Sequence, residues 1–384
     1  MKKTICFAGL LSETNLGDIV IIESTEGLYK KSLAGKGNFE FKRLNLQFGQ
    51  VSFLNKVVRK LKRLATEKLK LDGNRLEIEM LKKHYRSQLK EAELVVLVGG
   101  GLIKYKYQGV FLYLIALIET AEELGIPVVI NAAGVEGYSE TDPRCQLLKM
   151  SLNKDIVKSI TTRDDLETLS KKYMHQDSKI HIDKVADPAV YSDEIYKTNK
   201  QESDTYGIGL VRGGIFLDNE RQLTPEEVAI FYADLISEVE SRGLKYQMFT
   251  NGSSSDNELL PLIKNKLGRN HLELIVPKQD DELVNVISTF TTVIAARLHA
   301  NIISYSLNIP SIGLVWNDKL ALFGDDIGYP ERFFEYNQLD AKKIVDAAVL
   351  ANEQGYEQGQ WNKYKSTAKS NIDVIVNKWI ANEL

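Results

Sequence analysis

The sequence predicts an α/β protein made of two Rossmann-like domains facing a cleft. Three observations carry that expectation. Wholly apolar runs such as Leu94-Val95-Val96-Leu97-Val98 alternate with helix-length segments, and an uninterrupted apolar run fits a parallel strand covered on both faces. The alternation halts at a polar stretch, 192–204, and then starts again, as two successive βα domains require. The chain has 384 residues, room for two domains at roughly 150 residues each.

The first buried strand is expected at 4–9. Met1-Lys2-Lys3 ahead of it faintly resembles a signal peptide, but the apolar stretch is short. Ser12-Glu13-Thr14-Asn15 also stands where small residues would be needed for cleavage. The expectation is a cytoplasmic protein. Further strands follow at 39–44, 94–98, 127–131, 157–161 and 179–183, with helices at 19–33, 53–91, 108–124, 142–153 and 165–172. Together they make a first domain, 1–195. The stretch 192–204 is nearly free of aliphatic residues and reads as a linker or surface loop. The second domain, 205–384, repeats the pattern. Its strands are expected at 206–211, 245–250, 271–275, 292–295 and 311–315, and its helices at 225–242, 257–267, 281–288, 298–307 and 341–353. Thr224-Pro225-Glu226-Glu227 is a helix start: a capping hydroxyl, a proline where no amide donor is needed, and acids on the positive end of the dipole. A last helix, 361–381, is placed to pack back on the first domain. Two such facing domains form the GT-B arrangement.

Composition narrows the function. Apolar residues make up 43% and charged residues 26%, the balance of a folded globular protein. A net charge of −3 argues against nucleic acid as a partner held by bulk charge. The longest apolar run, 110–118, is half of what a membrane span needs. Two cysteines, Cys6 and Cys145, cannot build a disulfide scaffold or a cysteine zinc site, and they fit a reducing compartment. One segment is electrically unlike the rest: 53–91 holds 12 Lys and Arg against 5 Asp and Glu. Leu54, Val57, Val58, Leu61 and Leu64 share one helical face, with Lys56, Arg59, Lys60, Lys62 and Arg63 around them. Such a helix can make peripheral contact with an anionic membrane surface. A domain helix with a solvated basic back explains the same pattern and is the plainer reading.

Familiar cofactor signatures are missing. There is no Gly-x-x-x-x-Gly-Lys-Ser/Thr loop, no Gly-x-Gly-x-x-Gly, no His-Glu-x-x-His and no Asp-x-Asp pair. A Walker ATPase, a nicotinamide enzyme and a zinc hydrolase are therefore poorly supported, and no metal site or bound cofactor is expected. What remains sits at the carboxyl ends of predicted strands, where open α/β sheets bind ligands. Asn15-Leu16-Gly17-Asp18 follows the first strand. Gly17 lets backbone approach a ligand, and Asp18 is either a base or sugar-orienting carboxylate, or a plain helix cap. Gly99-Gly100-Gly101 offers bare amides suited to phosphate or carboxylate, or simply a tight turn. Asn131-Ala132-Ala133-Gly134 offers small residues at the next strand end.

Arg163, in Thr162-Arg163-Asp164, is placed for bidentate contact with an anion, or for a surface ion pair with Asp164 or Asp165. Arg297-Leu298-His299 follows the 292–295 strand, combining an anion-binding guanidinium with a group that titrates near neutrality. Trp316-Asn317-Asp318-Lys319 places Lys319 to reach a phosphate and Asp318 to cap the next helix. Arg212-Gly213-Gly214 is placed to touch an acceptor.

Taken in order, these segments resemble the polysaccharide pyruvyl transferase family. Its pattern has Asn-x-Gly-Asp (Asn15 to Asp18), a glycine triplet (Gly99 to Gly101) and Ser/Thr-x-Arg-Asp (Thr161 to Asp164). It continues with an Asp-Pro/Ala element (Asp187-Pro188-Ala189), Arg-x-His (Arg297 to His299) and a late Asp-Lys (Asp318-Lys319). The basic region 53–91 is not explained by the motifs. The resemblance implies a GT-B-like fold and transfer of a pyruvyl group from phosphoenolpyruvate, as co-substrate, to a saccharide acceptor: a sugar of a cell-surface polysaccharide or of its lipid-linked precursor. The product would be a cyclic ketal, with release of phosphate. It further implies that Arg163 and Arg297 hold the donor, that His299 is the general acid and that Asp18 positions or deprotonates the acceptor. A lipid-linked acceptor would place the enzyme at the inner face of a membrane. The alternative is a GT-B glycosyltransferase using a nucleotide sugar, which would bind a ribonucleotide diphosphate and not phosphoenolpyruvate. A non-catalytic saccharide-binding protein on the same fold is the other class.

Overall fold

The computed structural model describes residues 2–11, 15–47, 67–106 and 109–384. The part of the basic stretch that carries Leu54, Lys56, Val57, Val58, Arg59, Lys60, Leu61, Lys62, Arg63 and Leu64 lies outside them. The chain is α/β and divides into two compact units. One comprises 1–11, 25–185 and 370–384; the other comprises 12–24 and 186–369. The division between the large segments falls at Val185/Ala186, ahead of the polar stretch that the sequence reading took as linker or loop. That stretch begins as a short helix, Ser192–Tyr196. Its Asp193 accepts from the Ser306 hydroxyl (2.8 Å) and the Lys365 ammonium (3.0 Å), so its polar residues serve tertiary contacts.

The first unit carries strands β1 (Lys3–Gly9), β2 (Phe39–Asn45), β3 (Leu94–Val98), β4 (Ile103–Lys104), β5 (Val128–Ala133), β6 (Val135–Glu136), β7 (Val157–Thr162) and β8 (His181–Lys184). Six form a parallel sheet in the order β2-β1-β3-β5-β7-β8, while β4 and β6 pair separately. Every residue of β3 and β5 is buried, which is why β3 reads as an unbroken apolar run and β5 as one interrupted only by Asn131. The helix Val110–Leu124 buries ten residues in this core. The order reverses between β1 and β3, the topological switch point where such sheets bind ligands.

The second unit carries β9 (Thr205–Gly209), β10 (Lys245–Phe249), β11 (Leu274–Ile275), β12 (Thr292–Ala295), β13 (Ser311–Val315) and β14 (Phe333–Glu335). All run parallel in the order β11-β10-β9-β12-β13-β14. That is the 3-2-1-4-5-6 arrangement, with its switch point between β9 and β12. The helix Pro225–Ser241 starts as predicted, with Thr224 and Glu227 forming a reciprocal capping box. Besides the short helix Ser192–Tyr196, β14 and the helix Asp318–Ile327 are not predicted from the sequence. β14 is three residues long, too short for a pattern. The helix Asp318–Ile327 follows a turn that had been read only for its polar residues. The last helix, Gln358–Ile380, spans the division: from Ser370 onward it counts with the first unit, where Trp379 packs on Phe39 and beneath the Lys3 ammonium. None of the helices among the described residues is long and apolar enough to cross a membrane.

Glycine in β13 is required by packing. A Cβ on Gly313 would overlap the Phe333 ring, and one on Gly324 would approach Phe333 Cδ2 to 2.5 Å. Gly313→Ala should therefore destabilise the second unit by about 1–3 kcal/mol, the usual cost of overpacking a filled core. A thermal melt against the parent protein checks this; an unchanged midpoint would mean that Phe333 moves freely.

Candidate functional site

The site assembles in the second unit at the carboxyl ends of its strands. β12 ends at Ala295, and two residues later Arg297 occupies the N-cap of the helix Leu298–Ser306, with extended backbone. The exit is pinned from both sides. Asn301 Nδ2 donates to the Ala295 and Arg297 carbonyls (3.1 and 3.0 Å), and the Trp316 indole donates to the Ala296 carbonyl (2.6 Å). Arg297 gives two hydrogen bonds to Asp256, from Nε to Oδ2 (3.0 Å) and from Nη2 to Oδ1. Asp256 Oδ1 also accepts the Arg212 backbone amide (3.0 Å). Arg212 follows β9 and Arg297 follows β12, so one carboxylate ties the two strand exits that flank the switch point. Asp256 is fully buried, a position a carboxylate holds only with such partners. Beside it, burial pushes the Tyr232 phenol well above its usual range, Asp256 adds to that and Arg297 opposes it. Tyr232 thus stays a neutral donor, bonded to the Gly209 carbonyl at 2.9 Å.

The Asn15-Leu16-Gly17-Asp18 segment also belongs to this unit, although the sequence reading assigned it to the first domain. The reason is local packing. The Leu16 amide donates to the Asn251 carbonyl (3.4 Å), and Leu16 lies where a Cβ on Gly252 would come within 2.6 Å of its Cδ1. Gly252 has φ +85°, a conformation that favours glycine. Gly17 lies against the His299 ring so closely that a Cβ would overlap it. The helix begins at Leu16, three residues earlier than expected, so Asp18 is in its first turn. The plain-cap reading of Asp18 therefore fails. Its carboxylate accepts from Asn15 Nδ2 at 2.7 Å. On another side of His299, Asp187 Oδ2 stands 4.0 Å from Nε2, with Asp187 1% and His299 8% exposed.

The other expected residues fall elsewhere. Arg163 is in the first unit and 7% exposed, so it is not a surface arginine; Asp164 bonds instead to the Val135 amide (2.9 Å), the Thr162 hydroxyl (2.9 Å) and the Asp165 amide (2.7 Å). Gly99, Gly100, Gly101 and Gly134 also sit there, at the ends of β3 and β5. The Gly99 amide donates to Asn131 O (3.0 Å) and the Gly134 amide to Gly100 O (2.7 Å). These two amides are engaged internally, which leaves Gly100 and Gly101 to carry the anion-nest expectation. Lys319 lies in the first turn of the helix Asp318–Ile327, whose cap residue is Asn317; Asp318, expected to cap it, instead accepts from Arg221 (2.7 Å). The Arg212 guanidinium pairs with Asp218. Sequence reasoning missed Asp256 and Asn251 entirely. The turn-rich Asn251-Gly252-Ser253-Ser254-Ser255-Asp256 at the end of β10 was the available signal.

What the arrangement can do follows from its parts. It holds a fixed guanidinium, an imidazole two residues on, and a buried carboxylate behind each. Such a set can hold an anion and move one proton beside it.

A family model for polysaccharide pyruvyl transferases matches residues 15–318. No curated protein matches the chain. Among solved structures, the UDP-GlcNAc 2-epimerase of Methanocaldococcus jannaschii matches with TM-score 0.59 and 13% identity, over 98% of this chain and 100% of that one. The S. aureus MnaA–UDP co-structure gives 0.58 and 12%, over 100% and 98%. The Neisseria meningitidis UDP-GlcNAc 2-epimerase bound to UDP-GlcNAc gives 0.55 and 11%, over 100% of both chains. At such identities the likeness is one of fold, α/β and GT-B-like.

Gly17→Ala should push the His299 ring from its seat, at a cost of about 1–3 kcal/mol. NMR of the imidazole together with a denaturant melt reads both effects; a ring resonance that stays in place would show that the contact is slack.

Proposed function

Since the chain belongs to the polysaccharide pyruvyl transferase family, we propose that it transfers the pyruvyl group of phosphoenolpyruvate to two hydroxyls of a saccharide. The observation that carries this reading is the joining of the first and late family motifs in one unit, with Gly17 against His299 and Arg297 two residues before it. Phosphoenolpyruvate bears a carboxylate and a phosphate, so its site needs fixed cations. Arg297, held rigid by Asp256, meets that need for one anionic group. Arg163 and Lys319 are assigned to donor anions as well, with the amides of the glycine turn. His299 is the general acid.

In the first step its proton goes to C3 of the enol, the methylene becomes a methyl, and a sugar oxygen bonds to C2 as its proton leaves. In the second step another hydroxyl attacks C2 and gives up its proton, and phosphate departs with the electron pair of the C–O bond and takes up a proton, while the proton lost by the first hydroxyl replaces the one His299 gave to C3. Asp18, steadied by Asn15, orients or deprotonates the acceptor. The ledger closes with phosphoenolpyruvate and a diol on one side, and ketal and phosphate on the other. No oxidant enters. The test is phosphate release from phosphoenolpyruvate across a panel of saccharides, with the ketal identified by mass. No release with any acceptor, alongside binding of a uridine diphosphate, would replace this reading with nucleotide-sugar chemistry.

Two mutational outcomes are expected. Arg297→Ala and Arg163→Ala should each weaken phosphoenolpyruvate binding more than tenfold, the loss of a charge-assisted bond worth roughly 1.5–3 kcal/mol. Calorimetric titration reads this directly, and unaltered affinity in both variants would remove the donor assignment. His299→Asn should keep most of the donor affinity while turnover falls by ~100- to 10,000-fold. Near-parental turnover at saturating donor would mean that the proton comes from another group.

A further inference from the structure

Asp187 has no role in the chemistry above, yet its carboxylate is nearly all buried and turned toward His299. It is 1% exposed, it caps the short helix Pro188–Tyr191 by accepting the Ala189 amide on Oδ1 (2.8 Å), and its Oδ2 stands 4.0 Å from His299 Nε2. A cap needs only one oxygen. The second oxygen lies within ion-pair range of an imidazole that is itself 8% exposed. In such a dry setting a carboxylate beside a histidine selects the tautomer and favours the charged ring. The opposite constraint comes from Gly17, whose missing side chain leaves the ring its seat.

Resting on the pyruvyl-transfer reading, we infer that Asp187 is the positioning residue of His299. It favours the hydrogen on Nε2 and the charged form of the ring, while Gly17 seats the Nδ1 side. Charged groups on the elements that carry the ring and Gly17 have partners of their own. Arg297, at the cap of the same helix, is matched by Asp256 from the turn Ser254–Leu259. Asp18, on the helix that carries Gly17, is held by Asn15. Asp187, from the turn before Pro188, lies within ion-pair range of Nε2. A general acid must be protonated to work, so its activity falls as pH rises through its pKa. Asp187 therefore extends activity upward in pH.

The test is Asp187→Asn in the full-length protein, with Asp187→Ser as a second variant; both retain an oxygen for the Ala189 amide and so preserve the cap. Two readouts are taken. In ¹⁵N NMR of the histidine ring, the parent should show an Nε2-protonated neutral form; the variants should lose that preference and titrate about 1 pH unit or more lower. In assays with phosphoenolpyruvate and an active saccharide, the alkaline limb of kcat should move down by the same amount, with KM for the donor changed less than twofold. A His299 tautomer and titration midpoint that are the same in parent and variants would overturn the inference. That outcome is independent of whether pyruvyl transfer occurs, because the NMR titration needs no turnover. A parent that shows the shift but transfers no pyruvyl group would instead overturn the functional reading and leave the Asp187–His299 pair standing.

Discussion

The second unit is organised around one buried carboxylate. Asp256 is fully buried, and a charge there is tolerable only if strong donors meet it. It receives two bonds from the Arg297 guanidinium and one from the Arg212 amide. Those donors stand at the exits of β9 and β12, so neutralising the charge also sets the spacing of the strand ends at the switch point. Arg297 can then meet a ligand as a rigid cation. The following helix starts where that arginine is fixed, and His299 inherits its place from it.

Around His299 three parts of the chain distant in sequence meet: Gly17 from the start, Asp187 from the beginning of the second unit's long segment, and the Arg297 cap. Each limits the imidazole differently. Gly17 provides space, Asp187 provides charge, and the helix provides direction. A side chain restrained on three sides meets a ligand in one orientation, and pre-set orientation is worth most to a group that must act at a fixed approach.

Much of the fold was legible because local signals agreed with the tertiary outcome. β3, β12 and β13 fall where their apolar runs lie, since strands buried on both faces leave no polar alternation. Thr224-Pro225 marked its helix correctly because capping is a local interaction. β11 shrank to two residues and β14 was not seen, because edge pairing depends on neighbours rather than on pattern. Arg297 and His299 were readable as candidates from their place after a strand. Asp256 was not, because a carboxylate in a serine-rich turn looks solvated until the arginine that buries it is in place.

By itself the sequence determined most of the longer strands and helices, the two-unit α/β class, and the list of residue types at strand ends, since each depends on periodicity and turn chemistry within a few residues. Its ordered motifs also determined the family. Only the tertiary structure decided which of those residues work together. It grouped Asn15 to Asp18 with the second unit, engaged two of the glycine amides internally, buried Arg163, and set Asp187 beside His299. The physical reason is that contact between residues 17 and 299, or 256 and 297, depends on how sheets close and cores fill. No local pattern encodes that distance.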